Sequence, residues 1–376
     1  MDQKIRVALI GAGMIANEGH IPGYRAIEEK VELTAICDRN SEVVVKCAKR
    51  HGIPHFYENA EDMLEKERPD LVSITTPNQT HPVLTRLALE HGANVLCEKP
   101  LSLDYSEAAE LYTLAKDKKL LLAACQTQRY YSSYFCAKEY IQDGLLGKPY
   151  YGEINRIRRR GIPAWGHFLE KELNGGGALA DIGVHAIDAI LWMMGTPYVT
   201  GVLGNVSSSI IQNEHGIRYD MKESGAFPGR AGATSVDINY CDVEEFASGV
   251  ILTNGPSINF KIAWAANLPN TNKLTILGEK MGLTVPDFHV YSTIGRDQAD
   301  ITPRVFPYGR YDQEPFAGHY YLIENVVDTL LGKTELLVKP EETLNTIAVI
   351  SLFYRSVAQK GIALRSQIET SNIRMD

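Results

Sequence analysis

The most constraining stretch lies at the N-terminus. Ile5-Arg6-Val7-Ala8-Leu9-Ile10 reads as an apolar strand and runs straight into Gly11-Ala12-Gly13-Met14-Ile15-Ala16. The hexad has the G-x-G-x-x-G/A spacing of a dinucleotide-binding turn, with alanine in third place. Gly11 allows the tight turn and Gly13 lets the backbone approach a pyrophosphate. Ala16 lets helix and strand pack closely, so the helix N-terminus faces the phosphates, with Met14 and Ile15 beside it. Such a hexad is weak alone, because glycine-rich turns are common. Here a second strand, Val31 to Cys37, ends at Asp38, whose carboxylate is placed to accept from adenosine ribose hydroxyls. That negative charge repels a 2′-phosphate and favours NAD. Arg39 could instead hold such a phosphate, which keeps NADP open, or it could be a solvated side chain.

Strand and helix patterns then alternate. Helices are expected over Ser41–His51, Asn59–Lys66, His81–His91 and Ser106–Lys118, and strands over Leu71–Thr75, Asn94–Cys97 and Leu120–Cys125. That alternation predicts a parallel sheet with helices on both faces. Ligands of such sheets bind beyond the carboxyl ends of the strands. Two polar punctuations fall at such ends: Thr76-Pro77-Asn78-Gln79-Thr80-His81 and Glu98-Lys99-Pro100. Both contain turn formers. Lys99 says more, since a partly buried lysine at a cofactor edge can act in proton chemistry.

A second stretch supplies candidate chemistry. Gly175-Gly176-Gly177 opens an apolar helix that carries Asp181, His185 and Asp188, with Gly195 as its stop. On an α-helix Asp181 and His185 share a face one turn apart. A histidine beside a carboxylate can exchange a proton near neutral pH. The alternative is a core helix with one satisfied histidine.

The whole chain has 376 residues, which favours two domains: a dinucleotide-binding domain over 1–125 and a substrate-binding and oligomerisation domain over 126–376. The formal net charge of -8 argues against a nucleic-acid partner. The six cysteines show no CxxC pair or metal-ligand spacing, so no metal is expected and a reducing, cytoplasmic setting is. The N-terminus shows no signal-peptide layout. The most apolar run contains Asp181, His185 and Asp188, so it does not read as a membrane span.

Taken in order, the hexad, Thr76-Pro77-Asn78 with His81, Glu98-Lys99-Pro100 and Asp181-Ile182-Gly183-Val184-His185 resemble the glucose–fructose oxidoreductase/inositol dehydrogenase (Gfo/Idh/MocA) family. The resemblance covers essentially the whole chain. It implies an N-terminal Rossmann domain, then an α+β domain with a large, mostly antiparallel open sheet. It also implies an NAD(P)-dependent dehydrogenase acting on a sugar, a cyclitol or a related polyol, with Lys99, Asp181 and His185 beside the nicotinamide. The Lys99-Pro100 peptide is expected to be cis, and a homodimer or homotetramer is expected to form through the second sheet.

Further along, the resemblance places Arg129 or Tyr130 near cofactor or substrate; hinge packing is the other reading. Trp165 offers a flat surface of the kind sugars stack on, or it is a core tryptophan. Arg158, Arg159 and Arg160 alternate on a strand and read as mostly solvated. Asn254-Gly255 joins two strands, and Ile258, Phe260, Ile262 and Trp264 share one buried strand face. Residues 212–232 read as loop, Tyr320–Leu331 and Pro340–Gln359 as helices, and nothing after Ser366 as folded. The expected reaction is oxidation of a ring hydroxyl to a ketone. His185 acts as base, Lys99 holds the hydroxyl, and Asp181 orients His185 or binds a neighbouring hydroxyl. The rivals are a C=N or C=C reductase, a glycoside-cleaving enzyme that recycles its NAD, and a non-catalytic ligand sensor.

Overall fold

The computed structural model describes residues 4–213, 219–225, 235–236, 238, 240–304 and 309–365. The chain packs as two compact units, Met1–Tyr131 with Tyr308–Leu344, and Ser132–Pro307 with Asn345–Asp376.

The first unit holds six parallel strands: β1 (Ile5–Ile10), β2 (Val31–Cys37), β3 (His55–Tyr57), β4 (Leu71–Ile74), β5 (Asn94–Cys97) and β6 (Leu122–Ala124). Their order is β3-β2-β1-β4-β5-β6, so β1 and β4 flank the point where the order reverses. This is the doubly wound arrangement expected from the alternation. The short edge strand β3 was not legible, because three residues carry too little periodicity. Helix starts follow side-chain capping. Asn40, Asn59 and Asp104 each accept a backbone N–H three residues on, at Val43, Asp62 and Glu107.

The helix Ala317–Leu330 also belongs to this unit. It starts three residues earlier than the sequence pattern suggests. Leu322, Ile323, Val326 and Val327 are fully buried in the same core as Val7, Leu9, Tyr24 and Ile36. Burying each such side chain is worth about 1.5–3 kcal/mol, which seats a segment remote in sequence onto this sheet.

The second unit contains β7 (Pro149–Ile157), β8 (Val199–Ser207), β9 (Tyr219–Asp220), β10 (Ser235–Val236), β11 (Phe246–Thr253), β12 (Ser257–Ala263), β13 (Thr271–Gly278), β14 (Met281–Val285), β15 (His289–Ile294), β16 (Asp297–Asp300) and β17 (Leu364–Arg365). Nine of them form one sheet, ordered β16-β15-β14-β13-β7-β12-β11-β8-β17, with β9 and β10 paired separately. Its pairings are antiparallel except β7 with β12, as the expected mostly antiparallel sheet requires. The Asn254-Gly255 hairpin joins β11 to β12, and Ile258, Phe260, Ile262 and Trp264 are all buried.

Two expectations are corrected in this unit. The stretch 212–232 is not simply loop, since Ser209–Asn213 is helical and β9 pairs with β10; residues 214–218 and 226–232 lie outside the described residues. The stretch after Ser366 also lies outside them. Secondly, the apolar helix does not start as an α-helix. Leu179–Gly183 is a π-turn, and the α-helix proper is Val184–Met193. The stretch Lys171–Met193 is long and apolar enough to cross a membrane by length and composition, but 89% of its most apolar window is buried inside the protein.

Candidate functional site

In the first unit the glycine turn is built for close backbone approach. Gly11 sits at φ +103°, and a Cβ there would lie 2.6 Å from the Thr75 carbonyl oxygen, so only glycine fits. A Cβ on Gly13 would meet nothing within 4 Å, which leaves an open cradle at the helix start. Asp38 closes the turn. Its Oδ2 accepts from the Ala12 N–H and its Oδ1 from the Asn40 N–H, both at 2.9 Å. Each oxygen keeps a lone pair for a ribose hydroxyl, so the residues fit a bound dinucleotide. Arg39 is exposed, and Met14 and Ile15 are half-buried. Asn17, which the sequence reading passed over, locks the turn by donating to the carbonyls of Ala12 and Gly13 at 2.9 and 2.7 Å. A polar amide in the first turn after the hexad was the available signal.

The two polar punctuations are tied together by His81, which is fully buried. Its Nδ1 lies 2.7 Å from the Pro100 carbonyl and its Nε2 2.8 Å from the Thr76 carbonyl. Burial pushes the imidazole's pKa down, against the pull of those two carbonyls. His81 therefore braces the turns that carry Thr76, Pro77, Asn78 and Lys99. Lys99 is half-buried, and the Lys99-Pro100 peptide is cis, as the resemblance implies. Glu98 is 6% exposed, and its Oε2 accepts the Lys99 N–H at 3.1 Å. His20 and His319 both reach Glu98 Oε1 at 3.0 Å. Burial alone would raise the Glu98 carboxyl, but these two imidazoles outweigh it and hold it well below its ordinary range. Neither histidine was legible as a partner, since they stand 78 and 221 residues from Glu98.

Arg129 is buried to 1% exposure and ion-paired with Glu342. That pairing fits the packing reading of Arg129. Tyr130 donates its hydroxyl to Asn325 Oδ1 at 2.9 Å.

In the second unit, every residue from Gly176 to Met194 is buried except Asp181 and His185. The π-turn sets their phase on consecutive turns, and such turns recur at functional sites. Asp181 Oδ2 accepts from the Trp264 indole N–H at 2.9 Å, which fixes the carboxylate. The start of the π-turn is clamped by Glu244. Its carboxylate accepts the Gly177 and Leu179 N–H groups at 2.9 and 3.1 Å and the Tyr354 hydroxyl at 2.9 Å. These are backbone donors that a helix start leaves without an intrahelical partner. Burial dominates here and raises the Glu244 carboxyl despite those bonds. Burial, then Glu244, raise the Tyr354 phenol, so it stays a donor. Asp188 is structural: 1% exposed, it accepts from Thr346 Oγ1 at 3.2 Å.

The arginine run departs from its solvated reading. Arg159 is exposed, but Arg158 is half-buried and donates to the carbonyls of Gly161 and Ser224 at 3.3 and 3.0 Å. Burial lowers its pKa, countered by Asp181. Trp165 is half-buried against Phe168, and its buried indole N–H has no acceptor among the described residues.

Residues 5–125 match the oxidoreductase family with an NAD-binding Rossmann fold, GFO_IDH_MocA, and residues 134–284 match the GFO/IDH/MocA C-terminal domain. The chain belongs to the Gfo/Idh/MocA family. D-glucoside 3-dehydrogenase of Escherichia coli (strain K12) is 32% identical over 293 residues, which is 77% of this chain and 79% of that relative. Levoglucosan dehydrogenase of Pseudarthrobacter phenanthrenivorans is 27% identical over 212 residues, about half of either chain. Among solved structures, levoglucosan dehydrogenase with NADH superposes with a TM-score of 0.78 at 18% identity, covering 97% of this chain and 100% of that one. GenD2 from gentamicin A biosynthesis, solved with NAD, gives 0.77 at 22% identity with 98% of each chain covered. These two share the fold. As a member of the family, the chain is an NAD-binding oxidoreductase.

Proposed function

We propose that this chain oxidises a ring hydroxyl of a sugar, a cyclitol or a glycoside to a ketone. The observation that carries the reading is the pair Asp181 and His185, the two half-buried positions along a segment otherwise buried from Gly176 to Met194. The 32% identity to D-glucoside 3-dehydrogenase supports a carbohydrate substrate. Bound NAD supplies the hydride acceptor. His185 takes the hydroxyl proton, and Lys99 steadies the alkoxide that develops as the hydride leaves. Asp181, held by Trp264, orients His185, binds a neighbouring hydroxyl of the substrate, or does both. The buried Trp165 N–H offers a sugar oxygen a donor. The large sheet is the proposed surface for self-association into a dimer or tetramer.

A positioned general base contributes about 10²–10⁴ in rate. His185→Ala is expected to lose turnover by that factor, followed as NADH formation, while NAD affinity stays within about twofold. Release of free sugar from a glycoside without NADH accumulation would favour the recycled-cofactor reaction instead.

A further inference from the structure

Glu98 collects three N–H donors, and their arrangement fixes where the protons are. A carboxylate oxygen only accepts, so the Nε2 atoms of His20 and His319, each 3.0 Å from Glu98 Oε1, both carry hydrogen. A neutral His20 then has a bare Nδ1, which lies 3.2 Å from Ser73 Oγ, and Ser73 Oγ lies 2.7 Å from the Tyr24 hydroxyl. The hydrogens therefore run one way: Tyr24 to Ser73, Ser73 to His20, His20 to Glu98. His319 donates from the other side, and the Lys99 N–H donates to Oε2 at 3.1 Å.

His20, Ser73 and Tyr24 are fully buried. Burial pushes the His20 imidazole's pKa down against the pull of Glu98, which keeps the donor neutral. The result is a buried carboxylate held in place by N–H donors from three residues, His20, His319 and Lys99.

The ligating atoms of His20, Glu98 and His319 lie within 4.8 Å of one another, a spacing that also admits a metal ion. Ligands of a tetrahedral zinc stand about 3.3–3.6 Å apart, from bond lengths of about 2.0–2.2 Å. The observed 3.0 Å is that of a direct N–H···O bond. The helix that carries His319 passes close to the Thr127 backbone. A Cβ on Gly318 would lie 2.6 Å from the Thr127 carbonyl oxygen, so a side chain there would push His319 away.

Glu98 follows β5 at the carboxyl edge of the sheet, where doubly wound folds bind ligands. The nicotinamide ring is a cation in NAD+ and neutral in NADH. We propose that the Glu98 carboxylate biases this unit toward the oxidised cofactor, with His20 and His319 as positioning residues that hold it in place. A unit charge within about 12 Å of the ring, at an effective dielectric near 20, changes the relative affinity about tenfold or more. The inference rests on NAD binding by this family and not on the identity of the substrate.

The test is the ratio of NADH to NAD+ affinity, measured by titration of the full chain without substrate. Glu98→Gln leaves Lys99 in place and is expected to shift that ratio toward NADH by about tenfold. His319→Leu should shift it in the same direction, whereas His319→Gln, which keeps an N–H donor, should stay within about twofold of wild type. Should Glu98→Gln fail to fold, Glu98→Asp and the two His319 variants carry the same test: the charge is kept in the first and mis-held only in His319→Leu. Equal changes in both affinities, or an unchanged ratio in Glu98→Gln and His319→Leu, would overturn the proposal. So would stoichiometric zinc or iron in wild-type protein that is lost in His319→Leu.

Discussion

Glu98 in the first unit and Glu244 in the second are both buried beside a candidate functional segment, and the two are held in opposite ways. Glu98 meets two imidazoles and sits well below the ordinary carboxyl range, so it is a charge. Glu244 meets backbone N–H groups and a phenol, and burial raises it, so it is chiefly a strut for the π-turn that carries Asp181. The same side chain thus serves electrostatics in one unit and geometry in the other. What decides is whether the donors compensate the loss of water around the carboxylate.

The comparison breaks most readily at Glu244. Glu244→Ala leaves two buried N–H groups and the Tyr354 hydroxyl without their acceptor, at roughly 1–3 kcal/mol each. A loss of about 3 kcal/mol or more in urea denaturation is expected, with turnover reduced and the NADH to NAD+ affinity ratio unchanged. A shift of that ratio as large as in Glu98→Gln would erase the distinction between the two glutamates.

Acid sharpens it next. The folded-state pKa values of His20 and Glu98 are depressed. The folded state then binds fewer protons than the unfolded chain, and stability present at neutral pH is lost as pH falls. The His20 share goes below about 6.5 and the Glu98 share below about 4.5, their ordinary values. Glu244 is raised, so its ionisation penalty appears as pH rises above about 4.5 and is relieved by acid. Hydrogen exchange, corrected for intrinsic rates, should show amides around β5 loosening between pH 7 and 4. Amides at Gly177 and Leu179 should hold or tighten. Parallel loosening in both places would contradict the assignment.

A smaller effect is expected at Trp264→Phe, which removes the donor to Asp181 while keeping the ring buried. Loss of a hydrogen bond to a charged group costs about 1.5–3 kcal/mol at most. Turnover should fall about tenfold, with NAD affinity unchanged. Tyr354→Phe should cost least, about 1 kcal/mol of stability, because Glu244 keeps its two backbone donors.

What was legible in the sequence is what is local. The glycine hexad, Asp38 and the capped helices declare themselves within a few residues, because turn conformation and capping are short-range. Asp181 and His185 were legible for the same reason, as two polar residues in a long apolar run. Trp264 was readable as a buried strand residue, but its indole bond to Asp181 joins positions 83 apart. A buried tryptophan N–H usually finds an acceptor, and the sequence does not say which. Glu244, Glu342 and His319 were missed because their partners are brought close only by tertiary packing. The π-turns at Ala16–His20 and Leu179–Gly183 were missed because i→i+5 bonding over one turn barely disturbs helical periodicity.

The most direct measurement is NADH formation by wild type and His185→Ala across a panel of free sugars, inositols, sugar acids and glycosides, with NAD affinity measured alongside. Hydride transfer with His185 as base predicts reduction of NAD with one class of ring-hydroxyl substrate. It also predicts a loss of about 10²–10⁴ in turnover for His185→Ala at unchanged NAD affinity. A variant that turns over as fast as wild type would contradict it.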